Sequence, residues 1–300
     1  VNQKPALSGV VVPVITPIDD RESIDESAFR SQLRRLINAG VHGIFAGGSA
    51  GQGPLLTMDQ WQRMMEIAYD EVDGKVPLLA GVSDTSTQRV GEKIRRVREI
   101  GFLYFAITPT FYLKAASPSE HRRLFESCHE QGEGMEMVIY NIPSCVGSSI
   151  DLELILQMAR EGWIKYCKES SGDHDYLRPL IEQSGEAGLR VLVGDERWIP
   201  AGLRMGGVGL VPVCANAYPE LFVQIYEDTM ENRPGVLDLH HRLMNIREIL
   251  LLRGTCWLAG LSFAIAQIGI GSGRILSPLE PTGEEEKELI LDLLKSDPIQ

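Results

Sequence analysis

Along the first 214 residues, short apolar runs alternate with longer amphipathic stretches, and the runs begin about 30 residues apart, the length of one βα unit. The runs cover 9–16 (GVVVPVIT), 43–47 (GIFAG), 77–82 (PLLAGV), 104–108 (YFAIT), 137–141 (MVIYN), 164–168 (IKYCK), 190–194 (RVLVG) and 208–213 (VGLVPV). Most are rich in Val, Ile or Tyr and several end in Gly, Thr or Asn, as strands of a parallel sheet buried on both faces do. Between them, 27–39 places Phe29, Leu33, Leu36 and Ile37 on one face, with Gly40 as its stop. Thr57 caps 58–72, 87–100 ends at Gly101, and Asp151 opens 152–160 ahead of Gly162. Eight strands with helices between them predict an α/β fold of the (β/α)8 TIM barrel type, with an open doubly wound sheet as the competitor. Beyond residue 214 the pattern turns helical, over 219–231, 235–252, 255–268 and 284–295. The expected organisation is a barrel over 1–214 that carries the active site, followed by a C-terminal helical extension over 215–300.

Charge narrows the partners. With 41 acidic against 29 basic residues and a formal net charge of -12, the chain is poorly suited to nucleic acid or an anionic membrane surface, so a small molecule is the expected partner. No apolar run reaches the roughly 18 residues of a transmembrane helix, and the opening VNQKPALSGVVVPVITP lacks the layout of a signal peptide. The five cysteines are odd in number and scattered, with no CxxC pair. They read as reduced thiols of a cytoplasmic protein rather than a disulfide frame or zinc site.

In a barrel of this kind the active site lies at the C-terminal ends of the strands, so the residues ending each run carry the chemistry. Lys168 ends the sixth run. Strand alternation puts it on one face with Ile164 and Tyr166, opposite Lys165, Cys167 and Glu169. A lysine pointing into the barrel is desolvated, which lowers its pKa and frees the neutral amine that attacks a ketone to form a Schiff base. The competing reading is a lysine that reaches solvent or pairs with Glu169. Tyr140 ends the neighbouring fifth run, where its hydroxyl can relay protons to and from the lysine nitrogen. The glycine-rich GGSAGQG after the second run offers the Ser49 hydroxyl and backbone N–H groups as a carboxylate cradle, and it matches no nucleotide-binding pattern.

The ordered set GGSAG, TPTFY, YNIP, KESSGD, GDE and GLVPVCANAYP resembles the dihydrodipicolinate synthase and N-acetylneuraminate lyase family of class I aldolases, over nearly the whole chain. The resemblance implies a barrel with a C-terminal helical domain, usually a homotetramer, and a lysine that forms an imine with pyruvate or another 2-oxo acid. It implies no metal and no organic cofactor. Position by position, Lys168 matches the Schiff-base lysine, Tyr140 the relay tyrosine, and Ser49 and Ala50 the binders of the 2-oxo acid carboxylate. Val211 matches the residue whose carbonyl lines the pocket, and Gly194 and Asp195 match the GD after strand seven. The departures are equally specific. Gln52 stands where a glutamate is usual. Phe111 aligns with the tyrosine lent to a neighbouring subunit, leaving the adjacent Tyr112 as the candidate replacement. Cys145 stands close to the position where the synthases carry an arginine that grips the carboxylate of aspartate semialdehyde, and a thiol cannot supply that bidentate cation.

The resulting expectation is a lyase or aldolase of 2-keto-3-deoxy sugar acids or hydroxy-oxo acids, making or breaking a C–C bond or removing water, with an aldehyde as second partner. The alternatives are 4-hydroxy-tetrahydrodipicolinate synthase and, from another class, a non-catalytic 2-oxo acid sensor. His240 and His241 are adjacent on a helix and cannot face one ligand, and His174 reads as a surface residue. Asp195 and Glu196 read as helix-cap residues, while Arg197 and Trp198 are candidates to touch the far end of the substrate.

Overall fold

Eight strands lie side by side, all parallel, in chain order: β1 (Gly9–Pro13), β2 (Gly43–Ala46), β3 (Leu78–Gly81), β4 (Tyr104–Ile107), β5 (Glu136–Asn141), β6 (Ile164–Glu169), β7 (Arg190–Val193) and β8 (Gly209–Leu210). The computed structural model describes residues 5–115, 117–251 and 256–300. In it β8 pairs back onto β1 through Gly9↔Gly209 and Val10↔Leu210, so the sheet closes and the doubly wound alternative is excluded.

The helices α1 (Glu26–Asn38), α2 (Met58–Val72), α3 (Thr87–Ile100), α4 (Pro118–Gln131), α5 (Pro143–Val146), α6 (Leu152–Arg160), α7 (His174–Ser184) and α8 (Ile199–Arg204) lie between the strands. Local chemistry sets their limits. Thr57 and Gln60 form a capping box at α2, Asp151 accepts from the Leu154 N–H at α6, and Gly101 ends α3 in the left-handed region. The first helix starts one residue earlier than its pattern suggests, because Asp25 caps it by accepting from the Ala28 N–H at 2.9 Å. After β8 come α9 (Pro219–Met230), α10 (Val236–Leu251), α11 (Trp257–Ala266) and α12 (Glu284–Ser296). Of these α9 packs on β1 and α8, and α10, α11 and α12 pack on one another. The expected helix limits at residues 252 and 255 lie outside the described residues. No helix among the described residues is long and apolar enough to cross a membrane.

Two cores follow from the alternation of side chains along each strand. Val10, Val12, Ile44, Ala80, Ile139 and Val191 face outward onto the helices, whereas Val11, Phe45, Leu79, Val138, Leu192 and Val211 fill the barrel interior. In β6 the expected alternation fails at one point. The β5–β6 register shifts between Met137↔Ile164 and Val138↔Tyr166, so Lys165 is an extra, exposed residue bonded to Glu136 at 3.1 Å. That bulge turns Ile164 outward while Tyr166 faces the interior. Ile164 therefore does not share the inner face with Lys168.

Candidate active site

Beyond the bulge the β5–β6 register pairs Tyr140 with Lys168, so the two side chains leave adjacent strands at the same level. Both are almost fully buried, Lys168 at 4% exposure and Tyr140 at 5%. The Lys168 Nζ lies 3.7 Å from the centre of the Tyr140 ring and 5.0 Å from that of Phe45. Burial lowers the Lys168 pKa from 10.5 to about 7, because the charged ammonium gives up more hydration than the neutral amine. Burial also pushes the Tyr140 phenol well up, against the opposing pull of the Ser49 and Ser170 hydroxyls. Pairing of Lys168 with Glu169 does not occur. Glu169 accepts from Asn141 Nδ2 at 2.7 Å and from the Ser171 N–H at 2.5 Å.

Lys168 and Tyr140 open onto a cavity of about 470 Å³ at the C-terminal end of the barrel. Ser49, Ala50, Gly194 and Val211 all line it, so four of the residues expected at the substrate meet the lysine and tyrosine there. Gly47 takes the left-handed φ of +69° that turns the chain out of β2 into this loop. Among the described residues, neither the Ser49 nor the Ala50 N–H donates a hydrogen bond, which leaves both donors for an anion. Gly194 is glycine for space, since a Cβ there would stand 2.7 Å from the Glu169 backbone carbonyl as well as against Ser170 Oγ.

Two expected substrate residues lie elsewhere. Cys145 borders a smaller neighbouring cavity, with its Sγ 3.8 Å from Ser49 Oγ. Tyr112, at φ +71° and 91% exposed, points away from the barrel and lines neither cavity, whereas Phe111 beside it faces inward. The left-handed turn at Tyr112 is what sends the two aromatic side chains in opposite directions. Gln52 is structural, its amide joining the Thr16 carbonyl at 3.2 Å to the Leu276 N–H at 2.7 Å. Arg197 and Trp198 line neither cavity. Arg197 holds the Asp195 carboxylate at 2.7 Å, and both reach the Gly172 carbonyl.

Sequence reasoning missed Arg247 and Trp257, which reach the cavity from α10 and α11. No local motif marks either residue, because only the packing of the helical extension over the barrel mouth brings them there. Arg247 Nε lies 3.2 Å from Glu196 Oε2, and Glu196 Oε1 accepts from the Cys214 N–H at 2.7 Å. Glu196 is thus a buried carboxylate whose pKa burial raises while the Cys214 N–H and Arg247 lower it. Its expected role as a cap residue is replaced by this bridge from barrel to extension. Arg247→Ala leaves that carboxylate without its counter-charge and is expected to lower unfolding stability by roughly 2–3 kcal/mol, read as a lower urea midpoint. The Glu196→Gln/Arg247→Ala double variant should recover part of the loss. Among the described residues no group of three or more His, Cys, Asp or Glu side chains gathers as a metal site.

Residues 6–297 match the dihydrodipicolinate synthetase family. A 4-hydroxy-tetrahydrodipicolinate synthase of Methanopyrus kandleri is 32% identical over 294 residues, covering 96% of each chain. An uncharacterised DapA-like lyase of Halobacterium salinarum is 31% identical over 284 residues, 94% of this chain and 91% of that one. Among solved structures, YagE of E. coli K12, a prophage protein of the dihydrodipicolinic acid synthase family in complex with pyruvate, superposes with a TM-score of 0.90. The superposition covers 99% of this chain and 100% of that one at 22% identity.

Proposed function

Because the chain belongs to the dihydrodipicolinate synthetase family and is a lyase of the class I aldolase type, we propose that it works through a Schiff base between Lys168 and pyruvate or another 2-oxo acid. The observation that carries this reading is the register Tyr140↔Lys168, with both side chains buried and a lysine pKa near 7. The neutral amine attacks the C2 carbonyl carbon, and the carbonyl oxygen leaves as water after two proton transfers that Tyr140 relays. Loss of a C3 proton from the iminium gives an enamine. The enamine carbon then bonds to an aldehyde carbon, whose oxygen takes up a proton, and water releases the product from Lys168. Run backwards, the same steps cleave a C–C bond. The carboxylate rests on the Ser49 hydroxyl and the free Ser49 and Ala50 N–H groups.

We assign Gly194 and Val211 to the wall of the substrate cavity, and a 2-keto-3-deoxy or hydroxy-oxo acid to its roughly 470 Å³. We also infer a homotetramer, in which the outward Tyr112 reaches a neighbouring subunit, and a cytoplasmic location supported by five free thiols. The name of the M. kandleri relative supports 4-hydroxy-tetrahydrodipicolinate synthase as a second reading. Cys145 stands against it, since it offers no cation to a carboxylated aldehyde.

The test is to incubate the protein with pyruvate, reduce with borohydride and weigh it. A single adduct mapped to Lys168 is expected, and an unmodified mass where an authentic aldolase gains the adduct overturns the reading. Turnover of a panel of aldol substrates then separates an enzyme from a binding protein that merely forms the imine. The pH dependence has a definite sign. Below a pKa near 7 the neutral amine falls tenfold per unit, so initial trapping at pH 5 should be about a hundredfold slower than on the plateau above pH 8. A midpoint near 10 instead places Lys168 in water.

A further inference from the structure

Beside the Lys168 cavity lies a second one of about 120 Å³, and the two share Ser49, Tyr140 and Ile142. Their linings differ in kind. The larger holds Lys168, Asp195, Glu196 and Arg247, whereas the smaller has no charged side chain among its described residues and is walled by Phe45, Pro54, Phe111 and Val146 with glycine backbone. Apart from Ser49 and Tyr140, which it shares with the larger cavity, the polar side chains Ser83 and Thr108 around the smaller space are bonded within the protein. Ser83 Oγ accepts from the Thr108 N–H at 3.1 Å, Thr108 Oγ1 donates to the Pro109 carbonyl at 2.9 Å, and the Gly81 carbonyl accepts from Trp61 Nε1 at 3.0 Å. Cys145 closes the wall with a thiol.

An anion entering this space would lose its hydration with no cation to replace it, and a hydroxyl would find few partners. Hydrocarbon has the opposite balance, gaining from every methylene removed from water. The space also opens close to the reacting atom, because Phe45 and Tyr140 border it and Lys168 Nζ lies within 5.0 Å of both ring centres.

We propose that this compartment is a specificity subsite for an unbranched alkyl group carried by one of the two substrates, the 2-oxo acid or the aldehyde. At roughly 30 Å³ per water-sized unit, its volume suits a group of about three or four carbons. The inference rests on the Schiff-base reading above and extends it to the class of substrate.

Two series tell the sources apart. In the first, borohydride trapping is titrated with pyruvate, 2-oxobutanoate and 2-oxohexanoate. In the second, the pyruvate-loaded enzyme is offered acetaldehyde, butanal, pentanal and, as the charged comparison, aspartate semialdehyde. The series whose substrate bears the group should rise about fourfold in kcat/KM or apparent affinity per added carbon, up to three carbons. Where the aldehyde bears the group, aspartate semialdehyde should fall at least tenfold below butanal.

Val146→Phe, which fills the space, should flatten the rising series to less than twofold per carbon, and Val146→Ala should keep it rising. Each slope is a ratio within one protein, so a general loss of activity cancels. Flat series in both arms, a rising aldehyde series together with preference for aspartate semialdehyde, or an unchanged slope in Val146→Phe overturns the subsite. Failure of every 2-oxo acid to be trapped overturns the Schiff-base reading and this inference with it. Trapping without a chain-length slope removes the subsite alone.

Discussion

Lys168→Met should gain no mass with pyruvate and borohydride and should lose turnover by a factor on the order of 10⁴ or more, the scale of removing a covalent nucleophile whose partners act with it as a unit. Among the described residues no other lysine lines the cavity, so none of them can take over the attack. The variant should stay folded, which makes the result interpretable. An amine whose pKa falls from 10.5 unfolded to about 7 folded binds fewer protons in the native state across that window. Its burial therefore opposes folding below pH 10.5, and fully so below pH 7. Replacing it by an apolar side chain removes a penalty of a few kcal/mol at neutral pH and flattens the rise of stability between pH 7 and 10.5. Residual trapping at full stoichiometry in Lys168→Met, mapped to another lysine, would overturn the assignment.

Tyr140→Phe should lower turnover by roughly 10²- to 10⁴-fold while an adduct still accumulates on Lys168 over longer times. The ring of Tyr140 packs against Lys168 and Phe45, and those contacts survive loss of the oxygen, so the amine stays buried and its pKa stays low. What disappears is the acid that donates to the departing oxygen and takes protons back during C–C bond making. Measurement of trapping rate and steady-state turnover in one preparation separates the two effects. Equal losses in both, with a Lys168 midpoint displaced toward 10, would mean that the phenol only packs the lysine.

Much of this site is legible along the chain. Alternation within IKYCK puts Lys168 on the inner face beside Tyr166, and the end of MVIYN puts Tyr140 at the same rim. The turn glycines and Ser49 follow from GGSAG. Other features are not, because they depend on one residue more or less in a pairing. The bulge at Lys165 turns Ile164 outward without disturbing Lys168, and no composition rule marks it. Phe111 and Tyr112 differ by a single left-handed turn that aims one into the site and the other into solvent. Arg247, some 79 positions beyond Lys168 along the chain, reaches the cavity only because α10 folds back over the barrel mouth.

The chain by itself determined the barrel, the order of its strands and the amine at the end of the sixth, because hydrophobic period and turn chemistry act between near neighbours. Tertiary structure alone decided what surrounds that amine: a charged compartment closed by the helical extension on one side and an uncharged one on the other. Solvation and distance between groups far apart in sequence set that environment, and neither exists until the sheet has closed.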